Sequence, residues 1–192
     1  MRYPAEHKQQ TRARIVRAAA RRFRSRGGEG AAISDLMRDL RLTHGGFYRH
    51  FDSKEHLFAE AFTVGLEQVS ERLILAAEAA PRRGELKALI DAYLSLEHCD
   101  DMANGCPVAA LMAEVTRRPA ATRRAFQQAV RAHIARMARY LPGQTDEQRQ
   151  RTAVMLFSGM AGTLNVARAL TDEGRRRVLE DARTFYLKAV GG

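Results

Sequence analysis

Tryptophan is absent from this sequence of 192 residues, cysteine occurs only twice, and no run of 18 or more apolar residues exists. Because a membrane-spanning helix needs about 20 apolar residues, the sequence predicts no such helix. Two cysteines, Cys99 and Cys106, are too few for a disulfide scaffold and suit a reducing compartment. The N-terminus carries charges where a secretory signal would need an apolar stretch, so we predict a cytoplasmic protein without a membrane partner.

Sustained alternation of apolar and polar residues, the pattern of a β-strand, is also missing. Ala, Leu, Arg and Glu dominate instead, and the apolar residues recur at helical spacing, which predicts an all-α fold. The longer helices are expected at residues 6–26, 53–79, 85–98, 107–117, 119–140, 145–171 and 174–189. The first of them is predicted to carry four arginines on its polar face: Arg14, Arg17, Arg21 and Arg24.

Common enzyme motifs are missing as well. The sequence has no glycine-rich nucleotide loop, no paired-carboxylate motif and no nucleophile elbow, so we predict no enzymatic activity and no cofactor. The segment EHCDD at residues 97–101 contains residue types that bind metals. Adjacent residues at a helix end point in different directions, however, and no second set of ligands follows at a suitable spacing. No metal site is therefore predicted.

The formal net charge of +10 is unevenly distributed along the chain. Residues 1–57 hold 13 Lys and Arg against 6 Asp and Glu, whereas residues 58–192 hold 19 against 16. A basic excess concentrated in less than a third of the chain suits a nucleic-acid partner, but a solvated surface can have the same composition. Local motifs must decide between these interpretations.

Two short helices joined by a tight turn are predicted within residues 33–51. The first is marked by apolar residues at helical spacing: Ile33, Leu36, Met37 and Leu40. After a break at Arg41 and Leu42 comes THGGFYRHF at 43–51, with two phenylalanines four positions apart. Two helices of about two turns with such a connection are typical of a helix-turn-helix unit, in which the second helix enters the major groove of DNA.

Two adjacent glycines, Gly45 and Gly46, stand at the start of that second helix. Glycine costs about 1 kcal/mol relative to alanine inside a helix, so the pair weakens the fold by roughly 2 kcal/mol. Without side chains there, the backbone can approach DNA closely, while Thr43 and His44 supply hydrogen-bonding groups at the helix N-terminus. We interpret the glycines as part of a docking surface.

Phosphate contacts are predicted from four further residues. Tyr48 and Arg49 follow the glycines, where they can reach the DNA backbone. Lys54 lies in the first turn of the next helix, where its charge and the free N–H groups can meet one phosphate. Thr11, near the start of the first helix, offers an additional hydroxyl.

The run ISDLM at residues 33–37 followed by LTHGGFYRHFDSKEHLF at 42–58 resembles the DNA-binding domain of the TetR (tetracycline-repressor) family of bacterial transcriptional regulators. The resemblance covers roughly residues 8–60. It implies a three-helix DNA-binding domain at residues 1–52. It further implies a larger helical domain at 53–192 that binds a small ligand and dimerises.

The resemblance also implies roles for individual residues. Those expected to face DNA are Thr43, His44, Gly45 and Gly46, and those expected to hold phosphates are Tyr48, Arg49 and Lys54. Phe47 and Phe51 are expected to pack the small core. Arg41 occupies a turn position that is most often glycine in the family, so either the turn avoids a positive φ angle or arginine adopts one at a cost of about 1 kcal/mol.

In family members the last two helices form a four-helix dimer interface. The apolar residues of this chain that suit such an interface are Val154, Phe157, Ala161, Leu164, Phe185 and Leu187. Gly159 and Gly162 are expected to permit close approach of the helices.

Cys106 precedes Pro107, and proline is favoured at the first position of a helix. As the N-cap, the Cys106 sulfur would lie beside free backbone N–H groups, a setting that lowers the pKa of a thiol. One interpretation makes Cys106 a redox or electrophile sensor, and the other makes it a small buried residue that caps a core helix. The spacing to Cys99 also leaves a disulfide open.

Candidate contacts for a small-molecule effector come from the predicted interior of the second domain. They are Phe62, Leu66, Tyr93, Met112, Phe126, His133, Met137 and Met160. A helical stripe of this kind fits a plain hydrophobic core as well as a ligand site.

These features predict a DNA-binding transcriptional regulator: a repressor that binds a palindromic operator in double-stranded DNA as a homodimer and is released by a small-molecule effector. A dimer is expected because each short recognition helix covers only a few base pairs, so two must enter successive major grooves about 34 Å apart. The alternatives are a redox or electrophile sensor acting through Cys106 and a DNA-binding protein without an effector.

Overall fold

The computed structural model describes residues 5–190, and this part of the chain forms ten α-helices without a β-strand. The prediction of an all-α fold is confirmed. The helices are α1 (Ala5–Arg26), α2 (Ile33–Asp39), α3 (His44–Phe47), α4 (Lys54–Glu78), α5 (Glu85–Tyr93), α6 (Leu96–Asp100), α7 (Pro107–Val115), α8 (Ala120–Ala138), α9 (Asp146–Arg168) and α10 (Asp172–Val190).

Helices α1, α2 and α3 form a small N-terminal bundle that packs against the first turns of α4. The bundle core is made of fully or almost fully buried side chains: Ile15, Phe23, Leu36, Met37, Phe47, Phe51 and Phe58. Phe47 and Phe51 are stacked with ring centroids 5.5 Å apart, so the predicted pair does pack this core.

Helix α4 connects the N-terminal bundle to the rest of the molecule without a linker. It begins after Ser53, whose hydroxyl accepts a hydrogen bond from the backbone N–H of His56 at 3.1 Å. Its 25 residues span about 37 Å at the helical rise of 1.5 Å per residue. Along this length α4 packs against α1, α5, α7 and α8. One continuous helix therefore contacts both the N-terminal bundle and the rest of the chain.

Helices α5 to α10 form the larger C-terminal bundle. Helix α8 packs along α4, α9 lies between α8 and α10, and α10 also contacts α5. Gly159 of α9 faces Tyr186 of α10 so closely that a Cβ atom there would collide with the tyrosine hydroxyl. The close approach predicted for this glycine therefore occurs between two helices of one chain.

The helix predicted over residues 85–98 is two helices, and this part of the prediction is wrong. Helix α5 ends at Tyr93, and α6 begins at Leu96. Ser95 separates them because its hydroxyl accepts a hydrogen bond from the N–H of His98 at 3.1 Å and thereby caps a new helix.

Arg24 does not lie on the polar face of α1, which corrects a second expectation. Its side chain is only 2% exposed, and its Nε donates a hydrogen bond to the carbonyl oxygen of Ala103 at 2.7 Å. Burial lowers the pKa of Arg24 to about 10, with a smaller contribution from the charge of Arg72. Gly65 of α4 makes room for the guanidinium, since a Cβ at that position would lie 2.5 Å from Nη1.

Three of the residues predicted at a dimer interface belong to the core of the single chain. Phe157, Ala161 and Leu164 are each no more than 2% exposed. The large apolar side chains that are more than half exposed on α9 and α10 are Met155, Val166 and Phe185, with exposed fractions of 73%, 53% and 64%. Phe185 is one of the predicted interface residues, whereas Met155 and Val166 are not. We call these three residues the outer apolar face.

A charged cluster joins the N-terminal bundle to α7 and α8. The carboxylate of Glu114 accepts hydrogen bonds from the backbone N–H of Gly28, at 2.9 and 3.1 Å, and pairs with Arg118 at 3.0 Å. Arg118 also pairs with Glu55 in the first turn of α4, and Thr122 donates to Glu55 at 3.1 Å. We call these residues the junction cluster.

None of the described helices is long and apolar enough to cross a membrane.

Candidate nucleic-acid interface

Helix α3 is short, and its N-terminus is fixed by a cap. The Thr43 hydroxyl accepts a hydrogen bond from the backbone N–H of Gly46 at 3.2 Å, as expected for an N-cap threonine. One turn later, the buried ring of Phe47 anchors α3 to the bundle core. The cap and the anchor together fix which face of α3 points outward.

The turn between α2 and α3 uses a left-handed residue. Arg41 has a φ angle of 58°, so arginine adopts the conformation in which glycine is usually found. The turn is closed by backbone hydrogen bonds from Arg41 to Arg38, at 2.9 Å, and from Leu42 to Met37, at 2.8 Å. These bonds hold α2 and α3 in the arrangement of a helix-turn-helix unit.

The two glycines of α3 have different surroundings. A Cβ built on Gly45 meets nothing within 4 Å, so no packing contact inside the described chain requires a glycine there. A Cβ on Gly46 would lie 3.2 Å from the Thr43 hydroxyl oxygen, which is a tight contact with the cap. Gly46 therefore has a partly structural explanation, whereas Gly45 has none within the chain.

Five of the predicted interface residues are exposed in and directly around α3: Thr43, His44, Gly45, Tyr48 and Arg49. Tyr48 is 63% exposed, and its ring lies edge-on against Phe47 at 5.2 Å and His44 at 5.9 Å. These contacts direct the Tyr48 side chain while leaving its hydroxyl accessible.

The electrostatic surroundings of this surface are positive. The pKa of His50 is lowered by burial and, to a smaller extent, by the charges of Lys8, Arg12 and Arg49. Arg12 lies over the Phe51 ring at 4.5 Å and pairs with Glu60, so it is held in place next to the interface. Several cations converge here, which suits an anionic partner.

Lys54 and Thr11 differ in their availability. Lys54 donates from Nζ to the carbonyl oxygen of Glu29 at 3.3 Å, and an ammonium group retains two further donors for a phosphate. Thr11 is only 8% exposed. The structure does not support the predicted hydroxyl contact from Thr11.

Cys106 is the N-cap of α7 but is completely buried. Burial raises the pKa of its thiol, and this effect outweighs the opposing contributions of the Tyr93 hydroxyl and the N–H groups of Ala109 and Val108. The expectation of a lowered pKa is wrong because the helix N-terminus does not offset the loss of solvent. Both cysteines are free thiols.

Seven of the eight effector candidates are buried or half-buried in the C-terminal bundle. Met112 is 44% exposed, so its predicted interior position is wrong. The rings of Phe62 and Phe126 lie 4.9 Å apart, and those of His133 and Phe157 lie 4.5 Å apart. Within residues 5–190, no group of three or more His, Cys, Asp or Glu side chains is placed to hold a metal ion.

Sequence reasoning missed the junction cluster and the burial of Arg24. A signal for Arg24 does exist, because it follows Ala20 by four positions and Val16 by eight, which places it on the buried stripe of α1. The junction cluster joins residues more than 60 positions apart, such as Arg118 and Glu55, so no local pattern could indicate it.

Two family models match the chain. Residues 15–61 match the model described as "Bacterial regulatory proteins, tetR family", and residues 81–183 match "Tetracyclin repressor-like, C-terminal domain". The first match contains the helix-turn-helix unit, and the second covers more than half of the sequence.

Similar proteins include YdgC of Bacillus subtilis, an uncharacterised HTH-type transcriptional regulator. It is 32% identical over 87 residues, or 36% of this chain and 45% of the relative. An uncharacterised HTH-type regulator of Mycobacterium tuberculosis is 34% identical over 104 residues, or 54% of this chain and 52% of the relative. The chain thus matches about half, or less, of the length of these relatives. A TetR transcriptional regulator from Chloroflexus aurantiacus has a similar structure, with a TM-score of 0.75, 28% identity and 95% of each chain covered.

Proposed function

The chain belongs to the TetR family of bacterial transcriptional regulators, and on that premise we propose that it is a repressor released from its operator by a small-molecule effector. In this proposal two copies bind a palindromic operator, and the protein acts in the cytoplasm without catalysing a reaction. The same proposal assigns DNA binding to residues 1–52 and assigns effector binding and dimerisation to residues 53–192.

The observation that carries the proposal is the exposed surface around Gly45. A glycine with open space in place of a side chain lies beside two donors, Tyr48 and Arg49, on a helix fixed by Phe47. A flat backbone region flanked by donors allows a helix to approach the major groove, with the flanking side chains reaching phosphates.

Homodimerisation is supported by the outer apolar face. Met155, Val166 and Phe185 are more than half exposed on the last two helices, and exposed large apolar side chains favour burial against a partner. Because the interface would be isologous, the same surface of both copies would be covered.

Release by an effector requires a change in the relative positions of the two recognition helices. A 30-fold to 100-fold loss of operator affinity corresponds to about 2 to 3 kcal/mol of coupling. Helix α4 is suited to transmit such a change, since it packs against both α1 and α8. The buried, raised-pKa thiol of Cys106 gives no support to the redox alternative.

The direct test is the variant Gly45→Leu. We expect it to remain folded, because a Cβ atom at this position meets no atom within 4 Å, and to lose operator binding, because leucine holds the backbone away from DNA. The operator is first selected from random DNA, and binding is then measured by fluorescence anisotropy over a range of salt concentrations. A few phosphate contacts per subunit predict a log–log slope on the order of −5 to −9 for the unmodified protein.

Gln127→Leu is the matched control, since it adds an exposed leucine on α8 outside the interface. It should bind the operator like the unmodified protein. Operator affinity retained by Gly45→Leu would contradict the proposed docking surface.

A further inference from the structure

A broad cleft lies where α1 and α2 of the N-terminal bundle meet α4 and the segment between α6 and α7. Its volume is about 940 Å³. Among the described residues, neither the predicted DNA contacts nor the effector candidates line it. Its charged side chains belong to five arginines, Arg17, Arg21, Arg22, Arg26 and Arg72, and to two acids, Asp39 and Glu71. The lining therefore has a net formal charge of +3, and we call it the arginine cleft.

Most of the positive charge in the arginine cleft is not neutralised by the fold. Arg22 is the exception, because it pairs with Asp39 at 2.5 Å. Arg17, Arg21 and Arg26 are exposed on α1, and none of them makes an ion pair within residues 5–190. These guanidinium groups are accessible to a ligand from solution.

Arg72 faces the same cleft from α4. It is exposed, and its Nη2 donates a hydrogen bond to the carbonyl oxygen of Asn104, which also lines the cleft. This bond holds the side chain in place, while the guanidinium retains further N–H donors. Cations from two different helices are thus directed at one space.

A buried cation adds to the positive potential of the cleft. The Nε of Arg24 donates to the carbonyl oxygen of Ala103, a residue of the cleft wall, and in the part of the chain that the structure describes its Nη1 and Nη2 have no hydrogen-bond partner. Burial is the main cause of the lowered pKa of Arg24, and the charges of Arg72 and Arg21 lower it further. Arg24 therefore acts on a ligand through its charge and not through contact.

The charge and the donor geometry define the ligand. Guanidinium groups bind phosphate oxygens through two parallel N–H donors, and a concave surface of one charge sign concentrates the opposite ion. Two linked phosphoryl groups carry about three negative charges at pH 7, which matches the net charge of the lining. Leu75, which is 63% exposed in the same cleft, offers an apolar surface for an organic group attached to the phosphates.

We propose that the arginine cleft binds a small molecule through a pyrophosphate group, which the exposed guanidinium groups of Arg17, Arg21 and Arg72 hold. Glu71 opposes this binding, since its exposed carboxylate lies in the same lining and makes no ion pair among the described residues. The site is separate from the effector candidates of the C-terminal bundle and does not depend on the proposed function.

The test titrates inorganic pyrophosphate into the full chain by isothermal titration calorimetry at about 0.15 M salt, where weak surface attraction is largely screened. We expect Arg21→Gln to weaken binding about 10-fold, because a charge-assisted hydrogen bond is lost. Arg14→Gln is the matched control: it also removes one exposed arginine from α1, but Arg14 does not line the cleft. It should bind like the unmodified protein.

A second variant should act in the opposite direction. Glu71→Gln removes the opposing carboxylate and should tighten pyrophosphate binding about 3-fold, whereas Glu67→Gln, one turn earlier on α4 and outside the cleft, should not. A disturbed fold cannot produce a gain in affinity, so this pair keeps the test decisive.

The inference would be overturned if pyrophosphate did not bind, or if Arg14→Gln weakened binding as much as Arg21→Gln. A loss of binding in Arg49→Gln without a loss in Arg21→Gln would also overturn it, since the anion would then lie on the surface around α3. ADP serves as a second probe to distinguish the source of the pyrophosphate group. Tighter binding of ADP than of pyrophosphate would support a nucleotide ligand at this site, and equal or weaker binding would support free pyrophosphate.

Discussion

At the scale of single residues, Arg41 shows how a departure from a family pattern is accommodated. The residue adopts a φ angle of 58°, a region that disfavours every residue with a Cβ atom. The turn is nevertheless held by its own backbone hydrogen bonds, from Arg41 to Arg38 and from Leu42 to Met37. The chain thus retains the turn geometry with a residue other than glycine.

We therefore expect Arg41→Gly to stabilise the protein. Glycine adopts a positive φ angle without steric cost, so the free energy of unfolding should rise by up to about 1 kcal/mol in urea titrations. Arg38→Gly serves as the control, because a glycine inside α2 should lower the free energy of unfolding by about 1 kcal/mol. Equal destabilisation by both substitutions would show that the φ angle of Arg41 carries no strain.

Residue-level predictions from sequence succeeded where the cause was local. The Thr43 cap and the packing of Phe47 and Phe51 depend on neighbours within a few positions, which the sequence displays directly. They failed where the cause was tertiary. The position of Phe157 along α9 does not reveal whether its ring faces the core or the surface. Its ring is buried because α8 places His133 against it.

At the scale of elements, the junction cluster determines how the N-terminal bundle sits on α7 and α8. Arg118 lies between two carboxylates, those of Glu55 and Glu114, and its guanidinium is 4.4 Å from the centre of the Phe58 ring. Its side chain is only 13% exposed. One cation therefore neutralises two acids that belong to different helices.

Arg118→Ala should leave those two carboxylates close together without a cation. Because the acids are partly exposed, we expect a loss of about 2 kcal/mol in the free energy of unfolding, below the value for a fully buried ion pair. Operator affinity should also fall, since the N-terminal bundle is less firmly positioned. Arg117→Ala, at an exposed neighbouring residue, should change neither quantity. Identical urea midpoints for the two variants would argue against the junction cluster as a structural link.

At the scale of the whole molecule, the outer apolar face is the surface that a single chain leaves uncovered. Met155 and Phe185 are more exposed than most large apolar residues of the protein, although α9 and α10 bury their other faces well. Of the residues that the sequence placed at a dimer interface, Phe157, Ala161 and Leu164 lie in the core of the single chain. Helical periodicity does not reveal which of two apolar faces meets the chain's own core.

Met155→Glu should convert the proposed dimer into monomers. A carboxylate buried in an apolar interface loses its hydration on association, so dimerisation becomes unfavourable while the fold of each chain is retained. Sedimentation velocity at micromolar concentration measures the change. Leu75→Glu is the matched control, since Leu75 is 63% exposed on α4 and should leave the oligomeric state as it is. A dimer that persists in Met155→Glu would place the interface elsewhere.

Helix α3 has only four residues, and two of them are glycines. In terms of information, so few side chains can distinguish only a few bases, and a sequence that short recurs by chance many times among the millions of sites in a bacterial genome. Under the proposed function, selectivity then resides in the coincidence of two half-sites at one separation. In this proposal most of the operator specificity lies in the spacing between the two half-sites. The C-terminal bundles of the dimer set that spacing, because they fix the separation of the two recognition helices.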